Sequence, residues 1–251
     1  MNHYKLAIKH TGLLMALLLI VGCSRSAFQP LDFDKINKKG YSPIKTIALT
    51  RIDEPVEINV GTEGTPGKSF FGLMGAAAGW SIDKSRSKSF RQALNEHDIL
   101  FAPAMVESLQ QELTKKGYEF IYLQNQAIMP AADGKSFDFS QIQTDADAIL
   151  FVYLYSVGYR APKGFDKKYY PMLIVSVNLL DGYSKAPMYL KSFTMLRSEK
   201  YYGAEYSEIM IPDAGFYFDS IDALMSNIDE AAQGIKDCQG KIAARIAEQL
   251  K

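Results

Sequence analysis

The sequence predicts an α/β fold of the α+β type: a mixed β-sheet with a three-strand antiparallel meander, covered by helices. Apolar runs rich in β-branched and aromatic residues, which are typical of strands, occur at residues 44–52, 118–123, 146–159, 171–180 and 187–196. Apolar residues at helical spacing occur at 101–117 and again near the C-terminus. The order strand, helix, strand, three strands and helix indicates both parallel and antiparallel pairing.

The first half of the folded region is predicted as follows. The strand at 44–52 is closed by Asp53, Glu54 and Pro55, and the alternating stretch at 56–60 extends its edge. A charged stretch at 81–96 is predicted to be helical at least in its second half. The helix at 101–117 is the strongest prediction. Its supporting residues are Pro103 in the first turn, apolar Met105, Leu109 and Leu113, and a Lys-Lys-Gly end.

The second half begins with a strand at 118–123 and a polar loop that reaches Gly134. The run at 146–159 is long and mostly apolar or aromatic, which favours a central strand buried on both faces. A turn-rich connector at 181–186 joins the next two strands as a hairpin. From about Asp219 the chain is predicted to be helical, with Ile242, Ile246 and Leu250 at core spacing.

The N-terminus carries an export signal. Lys5 and Lys9 precede an apolar run that is too short to span a bilayer comfortably, so residues 1–22 are predicted to be a cleaved signal peptide rather than a membrane anchor. The run ends Ile-Val-Gly-Cys, which resembles the bacterial lipobox. That resemblance implies a mature chain beginning at Cys23 and carrying palmitate and other acyl chains. Ser24, in place of Asp, favours the outer membrane, facing the periplasm.

The composition indicates the domain organisation and argues against one class of partner. Residues 23–43 are polar and interrupted by Pro and Gly, so they are predicted to be a flexible tether before a single periplasmic domain at 44–251. The mature chain has 26 basic and 28 acidic residues, since Lys5 and Lys9 leave with the signal, and a nucleic-acid partner is not expected.

No catalytic residue, cofactor or metal site is predicted. One His, His97, remains in the mature chain, and Cys238, expected to be a small buried helix residue, has no disulfide partner once Cys23 is acylated. Asp145 and Asp147 face the same side of an extended chain, but they are expected to be solvated turn acids.

A stretch at 60–71 is similar to a phosphate-binding loop, with Gly67, Lys68 and Ser69 in place. The loop requires a Gly five residues before Gly67, where this chain has Thr62, and the periplasm has no nucleotide pool. Nucleotide binding is therefore not expected.

The combination of a lipobox, a tether, a first strand leading into a Gly-rich crossover, the step Asp-Ala-Asp-Ala before a strand and an Asp-Gly hairpin resembles a class of bacterial envelope lipoproteins. Their domains are similar to the TolB N-terminal domain and to the curli secretion lipoprotein. The likeness covers roughly residues 44–250 in element order. It implies an accessory role in envelope assembly or transport without enzymatic chemistry.

Two stretches are candidates for contacts with other molecules. Gly72, Gly75 and Gly79 form a nearly side-chain-free stripe if their segment is helical, which suits an oligomer contact, a shallow membrane insertion or tight packing on the sheet. Two loops at the same end of the meander are rich in Tyr, a residue enriched in binding hot spots but also common at strand ends. Their candidate partner-binding residues are Tyr159, Arg160, Lys163, Tyr169, Tyr170, Tyr201, Tyr202 and Tyr206.

The expected function is therefore a lipid-anchored, non-enzymatic lipoprotein that binds another envelope protein. The alternative is a protein that binds or processes peptidoglycan or another glycan, using the same tyrosines to stack on sugar rings.

Overall fold

The computed structural model describes residues 43–62, 84–126, 128–130, 137–162, 168–197 and 207–250. The strands within these ranges are β1 (Thr46–Thr50), β2 (Glu57–Thr62), β3 (Glu119–Leu123), β4 (Met129–Pro130), β5 (Phe137–Asp138), β6 (Ala148–Ala161), β7 (Tyr170–Asp181), β8 (Pro187–Met195) and β9 (Ser207–Met210). The α-helices are α1 (Lys84–Glu96), α2 (Ala102–Lys115), α3 (Ile221–Ser226) and α4 (Ile228–Gln249), and a short 3-10 helix covers Ala214–Phe216.

Within the described residues, seven strands form one sheet, and the sheet is mixed, as the sequence predicted. The strand order is β3-β1-β6-β7-β8-β9, and β2 also pairs with β6. Strands β6, β7 and β8 are the predicted antiparallel meander, whereas β1 is parallel to β3 and β6, and β9 is parallel to β8. The prediction of an α+β fold with a mixed sheet is confirmed.

Strand β6 is long enough to pair with two strands on one side. Strand β1 pairs with its first residues, Ala148–Leu150, and β2 pairs with its second half, from Ser156 to Ala161. A register shift interrupts the pairing with β7 between Leu154 and Ser156. Because an extra residue reverses the alternation of side chains, Leu154 and Val157 both contribute to the same core.

The helices cover one face of this sheet. Helix α4 packs against α2 and β7, and α1 packs against β2. The predicted core residues Ile242 and Ile246 are fully buried, and Leu250 is 7% exposed. Cys238 is also buried in α4, as expected. Helix α2 begins where the Glu54 carboxylate accepts hydrogen bonds from the backbone N–H groups of Phe101 and Ala102, a favourable place for a negative charge.

Two details of the predicted element order need correction. The stretch predicted as a polar loop contains the short antiparallel pair β4 and β5. Strand β9 was not predicted at all, because its four residues give too short a pattern to separate from a loop. The signal peptide, Cys23, the tether through residue 42, the stretch 63–71 and the glycines Gly72, Gly75 and Gly79 lie outside the described residues.

Gly158 allows β2 to lie beside β6. Its φ is +151°, and a Cβ atom at this position would lie 1.7 Å from the backbone oxygen of Asn59. We expect Gly158→Ala to lower the free energy of unfolding by at least about 3 kcal/mol, because the backbone of β2 must move away. Urea denaturation measures this change.

Gly240 supplies the matched control within α4. A Cβ atom there meets nothing within 4 Å, so Gly240→Ala should stabilise the protein by about 0.5 to 1 kcal/mol through helix propensity. Equal stability of the Gly158→Ala variant and the wild type would show that β2 does not need this close approach.

The sequence indicated that Asp147 is a solvated turn acid, but in the structure this exposed carboxylate also joins two strands. Its Oδ2 accepts hydrogen bonds from the backbone N–H groups of Thr46, at 2.9 Å, and Lys45, at 2.8 Å. These bonds, with that of Thr46 the larger effect, lower the pKa of Asp147 below its ordinary value. The carboxylate thereby ties the start of β6 to the start of β1.

A carboxyl group whose pKa is lower in the folded state stabilises the protein above its unfolded pKa, near 4, and loses this effect as the pH falls through the folded pKa. We therefore expect Asp147→Ala to lower the free energy of unfolding by about 1 kcal/mol at pH 7, given the exposure of the group. The difference from wild type should shrink at pH 3. Asp145→Ala, at an exposed neighbour, should change stability by less than about 0.5 kcal/mol at either pH. An Asp147→Ala deficit that is independent of pH would contradict the role of the charge.

Candidate functional site

The structure does not support the predicted tyrosine patch. Tyr159 and Tyr170 are fully buried, and Arg160 and Tyr169 are each 6% exposed. The predicted topology is correct, since Leu173 near the start of β7 lies opposite Met195 at the end of β8. The error lies in the strand boundaries, because β6 and β7 include Tyr159, Arg160 and Tyr170 as paired strand residues. The remaining candidates, Lys163, Tyr201, Tyr202 and Tyr206, lie outside the described residues.

Tyr159 is a structural residue that joins the sheet to α4. Its hydroxyl donates a hydrogen bond of 3.0 Å to the backbone oxygen of Ala231, and burial raises its pKa strongly. Its ring makes edge-to-face contacts with Phe90 and Phe218, at 6.0 and 5.5 Å between centroids. Gly234 permits this approach, since a Cβ atom there would lie 2.6 Å from the Tyr159 oxygen.

Tyr170 belongs to a small cluster on the sheet face opposite the helices. It packs with Met172 and Leu196, and its ring centroid lies 6.1 Å from that of Tyr217. Truncating this ring removes buried aromatic area, so Tyr170→Ala should lower the free energy of unfolding by about 3 to 5 kcal/mol. Thermal or urea denaturation would measure the loss.

Tyr183 is the matched control, because it is 97% exposed in the turn between β7 and β8. Tyr183→Ala should change stability by less than about 0.5 kcal/mol. If Tyr170→Ala were equally harmless, Tyr170 would have to be reassigned to a surface.

The candidate functional site is the middle of the sheet face opposite the helices. This surface is here called the open face. It lies between two apolar clusters, one around Ile149 and Leu180 and the other around Tyr170 and Met172. Its side chains alternate along the strands with residues of the helix-covered core. They are Glu57 and Asn59 of β2, Tyr153, Tyr155 and Ser156 of β6, Ser176 of β7 and Ser192 of β8.

A row of aromatic rings runs along one side of the open face. Phe137 of β5 lies 4.7 Å from Phe151 and 5.4 Å from Tyr153, measured between ring centroids. Tyr153 in turn lies 6.4 Å from Tyr155. Phe151 is buried, whereas Tyr153 and Tyr155 are partly exposed. The two tyrosines are therefore partly exposed side chains whose rings are contacted by neighbouring rings.

Polar groups beside the rings are arranged by hydrogen bonds. The Asn59 side-chain amide donates to Glu57 Oε2 at 3.0 Å and to Ser156 Oγ at 2.8 Å. The hydroxyls of Ser176 and Ser192 lie 3.2 Å apart across the next two strands. The bond from Asn59 orients the partly buried Glu57 carboxylate.

The electrostatics of the two tyrosines reflect that carboxylate. Burial is the largest cause of the raised pKa of both Tyr153 and Tyr155, and the negative charge of Glu57 raises both further. Asp53 adds to the effect at Tyr153. The two tyrosines thus lie close enough to Glu57 for its negative charge to disfavour their ionisation.

A cavity lies beside Ile142, a residue of the apolar cluster around Ile149 and Leu180. Its volume is about 380 Å³, and it is lined by Asn125, Gln126, Gln141, Ile142 and Gln143. The Gln126 side chain bonds both the backbone N–H and the backbone oxygen of Gln143, at 2.8 Å each. Its amide is therefore already used to join two segments of the chain.

Sequence reasoning missed Tyr153 and Tyr155, although a signal existed. The two tyrosines occupy alternate positions in the run at 146–159, so they must point to one side of a strand. The run was interpreted as buried on both faces because every residue in this part of it is apolar or aromatic.

The described residues include no group of three or more His, Cys, Asp or Glu side chains placed to hold a metal ion. Within the same ranges, no helix combines the length and apolar character needed to cross a bilayer. His97 lies near the Asp229 carboxylate, with 3.0 Å between Nδ1 and Oδ1, at the exposed junction that the sequence indicated.

No protein-family model matches the chain, and no curated protein matches its sequence. Solved structures similar to it include protein XCC0632 from Xanthomonas campestris, described under the family name DUF330, with 10% identity over 84% of this chain and 89% of that chain, at a TM-score of 0.36. A homolog of neuraminyllactose-binding hemagglutinin from Helicobacter pylori has 16% identity, coverage of 85% and 90%, and a TM-score of 0.31. The hypothetical protein CT253 from Chlamydia trachomatis has 10% identity, coverage of 82% and 98%, and a TM-score of 0.28. At such low scores these likenesses imply no function for this chain.

Proposed function

We propose that this chain is a non-enzymatic lipoprotein of the outer membrane, anchored through Cys23 and facing the periplasm, whose open face binds another envelope protein. The observation that carries the proposal is the pair of partly exposed tyrosines on the open face, Tyr153 and Tyr155, which neighbouring rings contact. Tyr is enriched among residues that dominate protein interfaces, and immobilised rings lose little side-chain entropy on binding. The lipobox-like run before Cys23 supports the location.

A second candidate, binding of a glycan, is favoured by the same tyrosines together with the hydroxyls of Ser176 and Ser192. Aromatic rings with adjacent hydroxyl groups can stack on and hydrogen-bond to sugars. Sedimentation of the full-length protein with purified cell wall would favour this candidate, since a protein partner requires no cell-wall binding.

The main test is photo-cross-linking in cells with the full-length chain. A photoreactive phenylalanine analogue at position 155 should give a discrete protein adduct, and the same analogue at Tyr183 on the exposed turn should not. Mass spectrometry identifies the adduct. Cys23→Ala should abolish palmitate incorporation and reduce the adduct, because the chain would not reach its membrane.

Two results would contradict the proposal. One is the absence of any protein adduct from position 155 in cells that contain correctly lipidated protein. The other is palmitate labelling that is equal in wild type and Cys23→Ala, which would show that Cys23 is not the anchor.

A further inference from the structure

The open face has an uneven charge distribution. Among the seven side chains named for the open face, Glu57 is the charged one, and it is partly buried beside uncharged Asn59 and Ser156. Further along β6 the same sheet face carries Arg160, which is 6% exposed. The Asp53 carboxylate forms an ion pair of 2.9 Å with Arg51. Among the described residues, the Glu57 carboxylate forms no ion pair. Its Oε2 accepts a hydrogen bond from the neutral Asn59 amide.

A partly buried carboxylate next to aromatic rings is suited to a cation. Charge-assisted hydrogen bonds to a carboxylate are stronger than neutral ones, and the faces of Tyr rings attract Lys or Arg groups. The same carboxylate repels phosphate and carboxylate ligands. The hydroxyls of Ser176 and Ser192 face each other, so part of their bonding capacity is already used.

We propose that the open face binds an extended, cationic segment of the partner protein, with an Arg or Lys side chain lying between the Glu57 carboxylate and the rings of Tyr153 and Tyr155. The inference rests on the proposed function, because it names the chemistry of the partner at that surface. Charge complementarity selects this occupant over an acidic segment. The planar guanidinium of Arg is the better fit, since it can bond the carboxylate and stack on a ring together.

The test uses full-length protein purified in a non-ionic detergent and a fluorescent peptide of alternating Arg and Ser residues. The matched peptide has citrulline, which is uncharged and of similar shape, in place of Arg. Fluorescence anisotropy should show binding of the Arg peptide and little binding of the citrulline peptide. The affinity for the Arg peptide should fall as salt is raised.

Three variants test whether the Arg peptide binds at the open face. Glu57→Gln should weaken binding of the Arg peptide about tenfold, and Tyr155→Leu about fivefold, from loss of the ion pair and the ring face. Glu107→Gln removes the same charge from the exposed side of α2 and should leave the affinity unchanged. Melting curves check that the Glu57 and Tyr155 variants remain folded.

Equal binding of the Arg and citrulline peptides would overturn the inference, as would equal effects of Glu57→Gln and Glu107→Gln. Binding of a chitin oligosaccharide that is lost in Tyr155→Leu but retained in Glu57→Gln would assign the face to a glycan instead. Different outcomes would contradict the protein partner and the cationic segment. A protein adduct from position 155 that is undiminished in Glu57→Gln cells would contradict the cationic segment and retain the protein partner. The absence of an adduct in cells with the wild-type residue at position 57 would contradict the protein partner itself.

Discussion

The whole sheet depends on strand β6 being hydrogen-bonded on both sides along most of its length. Strands β1 and β2 occupy one side in turn, and β7 occupies the other. A strand in this position satisfies its backbone groups without water and can be buried on both faces. The irregularity between Leu154 and Ser156 lets apolar residues from both halves of β6 reach the same helix-covered core.

This central strand also makes the two sheet faces unequal. On the helical side, Tyr159 bonds to α4 and packs between Phe90 and Phe218, so that face is closed by a dry core. On the other side, apolar clusters cover the two ends of the sheet and leave Tyr153 and Tyr155 partly exposed between them. A surface on paired strands is rigid, so a partner bound there need not order it first.

The chemistry of the open face follows from its hydrogen bonds. Asn59 holds the Glu57 carboxylate and the Ser156 hydroxyl together, and Glu57 imposes a negative potential on the adjacent tyrosines. A different polar network operates on the opposite face at the sheet edge, where Glu208 accepts hydrogen bonds from Lys191, Arg245 and Gln249. Burial opposes ionisation of Glu208, but these three donors lower its pKa overall. That network joins β8 and β9 to α4, whereas Glu57 is bonded within the sheet alone.

The sequence by itself determined the order of the longer elements and most of their bounds, because periodic patterns such as Met105, Leu109 and Leu113 report local geometry directly. It also determined the Asp-Gly turn, where Asp181 accepts from the backbone N–H of Ser184 at 2.7 Å. The export signal and the lipobox-like run ending at Cys23 are likewise local patterns, and they remain predictions of the sequence.

Only the tertiary structure decided which tyrosines are buried. Tyr170 and Tyr155 both lie in strand-like sequence patterns. Tyr170 is buried and packs against Tyr217, which comes from a distant part of the chain, whereas Tyr155 is partly exposed. The pairing of β2 with the far half of β6, and the close approach at Gly158, likewise join residues about a hundred positions apart. A strand's own pattern fixes which side a residue faces, but what lies on that side depends on long-range packing.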